Sequence, residues 1–282
     1  MKDYALALYE KALPPEQEIP ALCGLAREGG FDRLELSIDE SDARLARLDW
    51  SEKAQRELAR RCREEGAPIR TLCLSGQRKY PMGARDPAVR ERSLEILKKA
   101  VAFAANAGIS VIQLAGYDVY YEPGDEGTRE RFGEGLRRGA AWAAEAGVVL
   151  AFETMETPFM DTVGKAMRWV RQVDSPWLGL YPDLGNLQNA AAKYGRSVTE
   201  DLALGRGHVF ALHLKETKPG VYRDMRFGSG GHTDYAGGIR TAWRMGVRSF
   251  TAEFWYHGEA DWREEVSRAA AFLREKIEAA DR

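Results

Sequence analysis

Four residues of metal-binding type each follow a short apolar run in the second half of the chain. They are Glu153 after VVLAF, Asp183 after WLGLYP, His213 after VFAL and Glu253 after SFTA. Taken singly, each has an ordinary explanation, such as a turn, a strand end or a hydrogen-bonded core histidine. Gathered at one place, three ionised carboxylates would repel one another unless a cation compensated their charge. Carboxylate and imidazole ligands suit Mn²⁺, Zn²⁺, Co²⁺ or Fe²⁺. The pattern therefore predicts one bound divalent cation, and we expect it to be one of the first three ions.

The stretch Phe210–Gly220 (FALHLKETKPG) shows the pattern most clearly. An apolar run leads into His213, and Lys215, Glu216 and Lys218 then crowd together before a Pro-Gly pair ends the segment. A nearly continuous apolar sequence is typical of a buried parallel strand. We therefore interpret the stretch as a buried strand whose C-terminal end carries an imidazole and two cations.

Strands and helices alternate regularly along the chain, and this alternation must position the candidate residues. Alternating strands and helices indicate a parallel sheet. Eight strand–helix units, with no Gly/Ser-rich linker between them, predict an α/β protein with one domain, a (β/α)₈ TIM barrel over residues 1–282. A doubly wound open sheet is the alternative, but no predicted strand is followed by a GxGxxG turn. The predicted strands are Tyr4–Tyr9, Asp32–Ser37, Pro68–Ser75, Ile109–Ala115, Val148–Glu153, Trp177–Tyr181, His208–His213 and Ser249–Glu253.

The predicted helices lie between these strands. Ser51 is a plausible N-cap for the second helix, and Pro87 and Gly108 stand just inside the start and just past the end of the third, as expected. The predicted helices are Ala21–Glu28, Ser51–Glu65, Asp86–Ala107, Thr128–Ala146, Asp161–Val173, Leu187–Tyr194 with a further turn at Thr199–Leu204, Asp234–Met245 and Asp261–Ala280.

A (β/α)₈ barrel has its active site at the C-terminal ends of its strands. The four candidate ligands end or directly follow predicted strands five to eight, so a barrel would bring them together. His208 begins strand seven and would lie at the opposite end, where we expect a structural role. His257 lies beyond strand eight and is expected at the surface, whereas the sequence leaves the role of His232, in a glycine-rich loop, open.

Composition excludes several classes of partner. The net charge is −2 over 282 residues and no stretch is strongly basic, which argues against binding nucleic acid through its phosphates. No apolar run approaches the roughly 18 residues of a membrane span, and the N-terminus lacks the features of a signal peptide. The three cysteines have no CxxC spacing, as in a cytosolic protein with free thiols. We therefore expect a cytoplasmic protein that binds neither membranes nor nucleic acid.

Five motifs together resemble the L-ribulose-5-phosphate/L-xylulose-5-phosphate 3-epimerase family, which belongs to the xylose-isomerase-like barrels. The resemblance runs in order over nearly the whole chain, and YEKALP and AGYDVYY are fairly specific within the superfamily. The motifs are YEKALP (Tyr9–Pro14), RLDWS (Arg47–Ser51), IQLAGYDVYY (Ile112–Tyr121), YPDLGNL (Tyr181–Leu187) and HLKETKPGVY (His213–Tyr222).

The resemblance implies a metal-dependent 3-epimerase that interconverts L-xylulose 5-phosphate and L-ribulose 5-phosphate through a cis-enediolate. By resemblance the metal ligands are Glu153, Asp183, His213 and Glu253, the same four residues that end the predicted strands. The two glutamates would also be the catalytic acid/base pair that removes the C3 proton from one face and returns a proton to the other. A homodimer is expected from the family alone.

A sugar phosphate needs cations, backbone N–H groups and hydroxyl partners. Glycines let a backbone approach an anion closely, and Asn186 is a candidate partner for a sugar hydroxyl. The cations could equally be ordinary surface charges, Lys79 and Lys218 above all. The candidate substrate-binding residues are Ser75, Arg78 and Lys79 after strand three, Asn186 after strand six, Lys215 and Lys218 after strand seven, and Gly228, Gly230 and Gly231 in the following loop.

The chain departs from the family pattern in two loops. Gln77 stands where the family usually has the histidine of SxHRR, and Arg226–Tyr235 replaces PFGEGxVDF, with Ser229 among the altered residues. These departures keep open an epimerase or isomerase of an unphosphorylated ketose on the same scaffold. An endonuclease that acts at abasic sites in DNA would need a basic surface and usually more than one metal, and the net charge of −2 argues against it. A non-catalytic sugar-binding protein is disfavoured by the four intact candidate ligands.

Overall fold

Strands and helices alternate through residues 3–280, the part of the chain that this computed structural model describes. Residues 1, 2, 281 and 282, which the predicted domain includes, lie outside the described residues. The strands are β1 (Ala5–Tyr9), β2 (Arg33–Ile38), β3 (Ile69–Leu74), β4 (Val111–Ala115), β5 (Val149–Glu153), β6 (Leu178–Leu180), β7 (Leu212–Leu214) and β8 (Ser249–Ala252). The helices are α1 (Ile19–Glu28), α2 (Asp42–Leu45), α3 (Glu52–Glu64), α4 (Pro87–Ala107), α5 (Glu126–Ala146), α6 (Val163–Val173), α7 (Leu184–Tyr194), α8 (Val198–Ala203), α9 (Tyr235–Arg244) and α10 (Trp262–Ala280).

The eight strands are parallel and pair in the order β6-β5-β4-β3-β2-β1-β8-β7. Two isolated parallel bridges, Leu180 with Val209 and Asp183 with His213, join β6 to β7 and close the ring. The backbone N–H of Leu180 donates to the carbonyl of His208 at 2.8 Å, and that of His213 donates to Pro182 at 2.9 Å. The predicted (β/α)₈ barrel is therefore confirmed, and its seam lies between β6 and β7.

Alternate residues of each strand enter two different cores, because successive side chains of a strand point to opposite faces. Leu150 and Phe152 of β5 pack in the large cluster shared by strands and helices. Between them, Ala151 joins a small separate cluster with Tyr181 and Ala211, which therefore lies inside the barrel. This interior has little apolar volume, so polar side chains occupy much of the space below the strand ends.

Helix boundaries follow their capping residues. Ser51 accepts from Ala54 N–H, as predicted for this N-cap, and Gly108 ends α4 in the left-handed conformation at φ 68°. Helix α7 begins three residues before its predicted start, because Asp183 caps it by accepting from Asn186 N–H at 2.6 Å. Strand β7 is shorter than predicted, because only Val209 of its first half pairs with β6. None of the helices in residues 3–280 is long and apolar enough to cross a membrane.

Gly179 at the barrel seam offers a test of the packing. A Cβ added there would lie 2.4 Å from the Phe210 ring and 2.6 Å from the His208 carbonyl, and overpacking typically costs about 1–3 kcal/mol. We expect Gly179→Ala to lower the free energy of unfolding by about that amount in denaturant titrations. Gly127→Ala is the matched control, since its Cβ would meet only flexible side-chain ends of Arg131 and Asp125. Equal stability of Gly179→Ala and wild type would contradict the tight seam.

Candidate metal centre

Four side chains from four successive strand ends meet at the C-terminal mouth of the barrel. Glu153 ends β5, Asp183 caps α7 directly after β6, His213 lies within β7, and Glu253 follows β8. One ligand atom from each lies within 4.8 Å of the others, and all four residues are buried. The structure thus brings together the four residues that the sequence singled out, and this cluster could hold one metal ion.

The orientation of the side chains fits a cation. His213 Nδ1 lies 3.4 Å from Glu253 Oε2, 3.7 Å from Glu153 Oε1 and 4.0 Å from Asp183 Oδ2. Neither His213 Nδ1 nor Asp183 Oδ2 has a hydrogen-bond partner among the described residues, although a buried polar atom without one costs about 1–3 kcal/mol. Acceptor atoms that converge on one point without partners of their own are the arrangement a divalent cation requires.

Burial and neighbouring charges shift the pKa values of the three carboxylates in different directions. Burial, and then the charge of Glu253, raises the pKa of Glu153. Burial also raises the pKa of Asp183 to about 7, although Lys215 works in the opposite direction. Burial opposes ionisation of Glu253 as well, but Lys215 and His213 outweigh it and hold its pKa below the usual range. The charge of this cluster is therefore only partly balanced by the chain itself.

A histidine and a lysine of the chain contact the carboxylates. Burial disfavours protonation of His213, but Glu35 and Glu253 outweigh burial and raise its pKa. Lys215 is almost fully buried, and its Nζ lies 3.0 Å from Glu253 Oε2 and 3.5 Å from Asp183 Oδ1. The sequence suggested Lys215 as a substrate-binding residue, and the structure places it at the edge of the ligand cluster rather than on a surface loop.

A cavity opens directly above the ligand cluster. Four of the nine candidate substrate-binding residues line it, namely Ser75, Arg78, Asn186 and Lys215, together with Glu153 and Glu253. Asn186 Nδ2 donates to the Thr154 carbonyl at 2.8 Å, while its buried Oδ1 has no partner among residues 3–280. The guanidinium of Arg78 lies 4.8 Å from the ring centroid of Tyr120, and its buried Nε has no partner among these residues either.

The remaining candidates do not reach this cavity. Gly228 and Gly230 have left-handed backbone conformations, at φ 74° and 79°, in the exposed loop before α9. The turns of this loop therefore account for glycine at both positions, because other residues rarely adopt a positive φ. Lys79 and Lys218 are exposed and do not line the cavity either. The altered loop residue Gln77 is buried, and its side-chain amide has no partner among the residues that the structure describes.

The other histidines lie away from the ligand cluster. His208 is exposed at the start of the seam, and His257 is exposed beyond β8, where its Nε2 lies 2.9 Å from Asp224 Oδ1. His232 donates its backbone N–H to the Thr217 carbonyl at 2.8 Å, and burial lowers the pKa of its side chain. None of the three lines the cavity.

Three residues in or below the cavity were given no role from the sequence, although Lys11 and Glu35 were among the candidates at predicted strand ends. Lys11 and Arg223 line the cavity as additional cations, and Arg223 lies 5.7 Å from the ring centroid of Trp255. Lys11 belongs to the YEKALP motif, whose charge was a usable signal, whereas Arg223 comes from a loop with no recognisable pattern. Glu35 contacts His213 from inside the barrel; its position near the end of β2 was visible, but its partner was not.

Comparison with known proteins agrees with this geometry. A family model described as a xylose isomerase-like TIM barrel matches residues 23–276. The putative L-ribulose-5-phosphate 3-epimerase SgbU of Escherichia coli (strain K12) is 42% identical over 287 residues, covering 99% of each chain. The L-ribulose-5-phosphate 3-epimerase UlaE of Salmonella paratyphi C is 40% identical over 280 residues, covering 99% of this chain and 97% of that protein.

Solved structures resemble the chain in fold at much lower identity. The D-psicose 3-epimerase of Clostridium cellulolyticum H10, solved with D-tagatose, has a TM-score of 0.81 at 15% identity, covering 97% of this chain and 99% of that one. An L-ribulose 3-epimerase structure has a TM-score of 0.78 at 17% identity, covering 99% and 96%. The chain therefore belongs to the xylose isomerase-like TIM barrel family and, within it, to the L-ribulose-5-phosphate 3-epimerases with which it shares about two residues in five over nearly its whole length.

Proposed function

We propose that the protein is a metal-dependent 3-epimerase that interconverts L-xylulose 5-phosphate and L-ribulose 5-phosphate. The observation that carries the proposal is the convergence of two glutamates, an aspartate and a histidine beneath one cavity. The names of the relatives at 42% and 40% identity supply the substrate class. The cytoplasmic location and the homodimer stay predictions.

The four residues Glu153, Asp183, His213 and Glu253 would hold the metal. A divalent cation in this position supplies Lewis-acid stabilisation of the negative charge that develops on the substrate. Mn²⁺, Zn²⁺ and Co²⁺ all suit this donor set.

Glu153 and Glu253 are the proposed proton-transfer pair. They come from β5 and β8, which two other strands separate around the closed ring, so their carboxylates can approach a bound sugar from different sides. One glutamate removes the proton from C3, and the electron pair is delocalised onto O2 as a cis-enediolate. The other glutamate then delivers a proton to the opposite face of C3, which inverts that centre.

Polar groups of the cavity account for sugar binding. The buried Oδ1 of Asn186 has no partner among the described residues and can accept a hydrogen bond from a sugar hydroxyl. Lys215 stays beside Glu253 at 3.0 Å, where it favours the ionised form of that carboxylate. Arg78 is the residue proposed to bind the phosphate of the substrate, together with Ser75, since a guanidinium matches phosphate geometry. Lys11 and Arg223 add positive charge to the same cavity.

The metal centre predicts a stoichiometry and a pH dependence. Protein purified without chelator should contain about one equivalent of divalent cation, and exhaustive EDTA treatment should abolish activity until metal is returned. Because protons compete with metal for ligands whose pKa values are raised, such as Asp183 at about 7, metal affinity should fall as the pH drops below neutrality. Elemental analysis and metal titrations at several pH values measure both. Full activity with no detectable metal would refute the metal centre.

The phosphate site predicts a selective effect of Arg78→Ala. Loss of the guanidinium should raise KM for the pentulose phosphate far more than for the free pentulose, because only the ester carries the anion. Lys79→Ala is the matched control, since Lys79 is the exposed neighbouring cation outside the cavity. Steady-state kinetics on both sugars measure the difference, and an equal change of KM for both would show that Arg78 does not hold the phosphate.

The glutamate pair predicts the position of solvent exchange. In D₂O the product should carry deuterium at C3 and none at C1, as NMR would show. Glu153→Gln and Glu253→Gln should each reduce epimerisation at least about 10²-fold, the low end for one general acid or base. Glu259→Gln, in the partly exposed segment after β8 and outside the cavity, is the control. Deuterium at C1 would instead indicate aldose–ketose isomerisation, and no deuterium with intact activity would exclude the two-glutamate exchange.

A further inference from the structure

Glu35 lies inside the barrel, beneath the ligand cluster, and the proposed chemistry assigns it no role. Its side chain is fully buried on β2. Its Oε1 lies 2.6 Å from His213 Nε2, and its Oε2 accepts a hydrogen bond from the Tyr181 hydroxyl at 2.7 Å. Burying a carboxylate is unfavourable unless it is paired and hydrogen-bonded, and here both oxygens have partners.

The direction of each hydrogen bond in this group follows from counting protons. The single hydroxyl proton of Tyr181 goes to Glu35, so the Thr251 hydroxyl, 2.5 Å away, must donate to the Tyr181 oxygen. An ionised carboxylate only accepts hydrogen bonds, so the Nε2 of His213 carries a proton and donates it to Glu35. A continuous chain of hydrogen bonds thus runs from Thr251 through Tyr181 and Glu35 to His213, and all four residues are fully buried.

This chain of hydrogen bonds determines which nitrogen of His213 faces the ligand cluster. With Nε2 held by Glu35, Nδ1 points toward the carboxylates of Glu153, Asp183 and Glu253 and has no hydrogen-bond partner within residues 3–280. A histidine buried only for packing would be expected to have both nitrogens satisfied. The difference between the two nitrogens therefore indicates that the ring is oriented toward something outside the chain.

We propose that Glu35 is a positioning residue that fixes the tautomer and rotation of His213 for metal binding, and that Tyr181 and Thr251 hold Glu35 in place. Metal-binding histidines commonly donate their other N–H to a carboxylate, and loss of such a partner typically weakens metal binding about 10–100-fold. This inference rests on the metal centre of the proposed function but not on the identity of the sugar.

Metal affinity without substrate tests the inference. Glu35→Gln keeps the size of the side chain but loses its charge and one of its acceptors, and Tyr181→Phe removes only the hydroxyl that donates to Glu35. Thr71→Val is the matched control, because Thr71 of β3 pairs in register with Glu35 and its buried hydroxyl has no partner in the described part of the chain. For each variant, the Kd for Mn²⁺ is measured by competition with a chelator, and Tm is measured with and without saturating Mn²⁺.

Glu35→Gln should raise the Kd for Mn²⁺ about 10–100-fold and reduce the increase in Tm that Mn²⁺ produces, because that increase reports binding to the folded state. Tyr181→Phe should change both in the same direction by less, and Thr71→Val should change neither. An unchanged Kd in Glu35→Gln, with only the metal-free Tm lowered, would show a purely structural role. If Glu35→Gln does not fold, an unchanged Kd in Tyr181→Phe would overturn the inference. Wild-type protein that binds none of Mn²⁺, Zn²⁺ and Co²⁺ would overturn the metal centre itself, a failure distinct from that of Glu35.

Discussion

The mutual repulsion of three buried carboxylates is the constraint around which the mouth of the barrel is organised. Glu153, Asp183 and Glu253 are almost completely withdrawn from water, where the charged form of each is disfavoured. Lys215 and His213 balance part of this charge. Removing one partner from such a cluster would leave a buried charge without compensation, which is strongly destabilising. The same deficit of positive charge makes the site a strong candidate for a divalent cation.

The seam of the barrel serves the ligand cluster directly. Strands β6 and β7 have only three residues each, and the ring is closed there by isolated bridges. One of these bridges pairs Asp183 with His213, so two proposed ligands are held in register by the backbone itself. Asp183 also caps α7, which couples the start of a helix to the ligand geometry. Ligands fixed in this way need little reordering to bind an ion, which is the condition for preorganisation.

The interior of the barrel forms polar layers along its axis. The hydrogen-bonded chain from Thr251 through Tyr181 to Glu35 lies below His213. The cavity with Arg78 and Asn186 lies above the ligands. The members of this hydrogen-bonded chain satisfy one another, whereas His213 Nδ1, Asp183 Oδ2 and Asn186 Oδ1 have no hydrogen-bond partner among the described residues. The unsatisfied atoms that the proposed function uses therefore lie at the open end of the barrel.

The order of strands and helices, the barrel and the meeting of Glu153, Asp183, His213 and Glu253 followed from the sequence alone. The physical reason is that apolar runs and caps are local signals, and a closed parallel barrel places every strand end at the same mouth. Only the tertiary structure decided how His213 is oriented, since its partner Glu35 is 178 positions away in the chain. Loop packing likewise decided three further features: Lys215 is buried against carboxylates, Arg223 lines the cavity, and Gly228 and Gly230 lie away from it. The reason is that a loop takes its path from long-range contacts that no local pattern encodes.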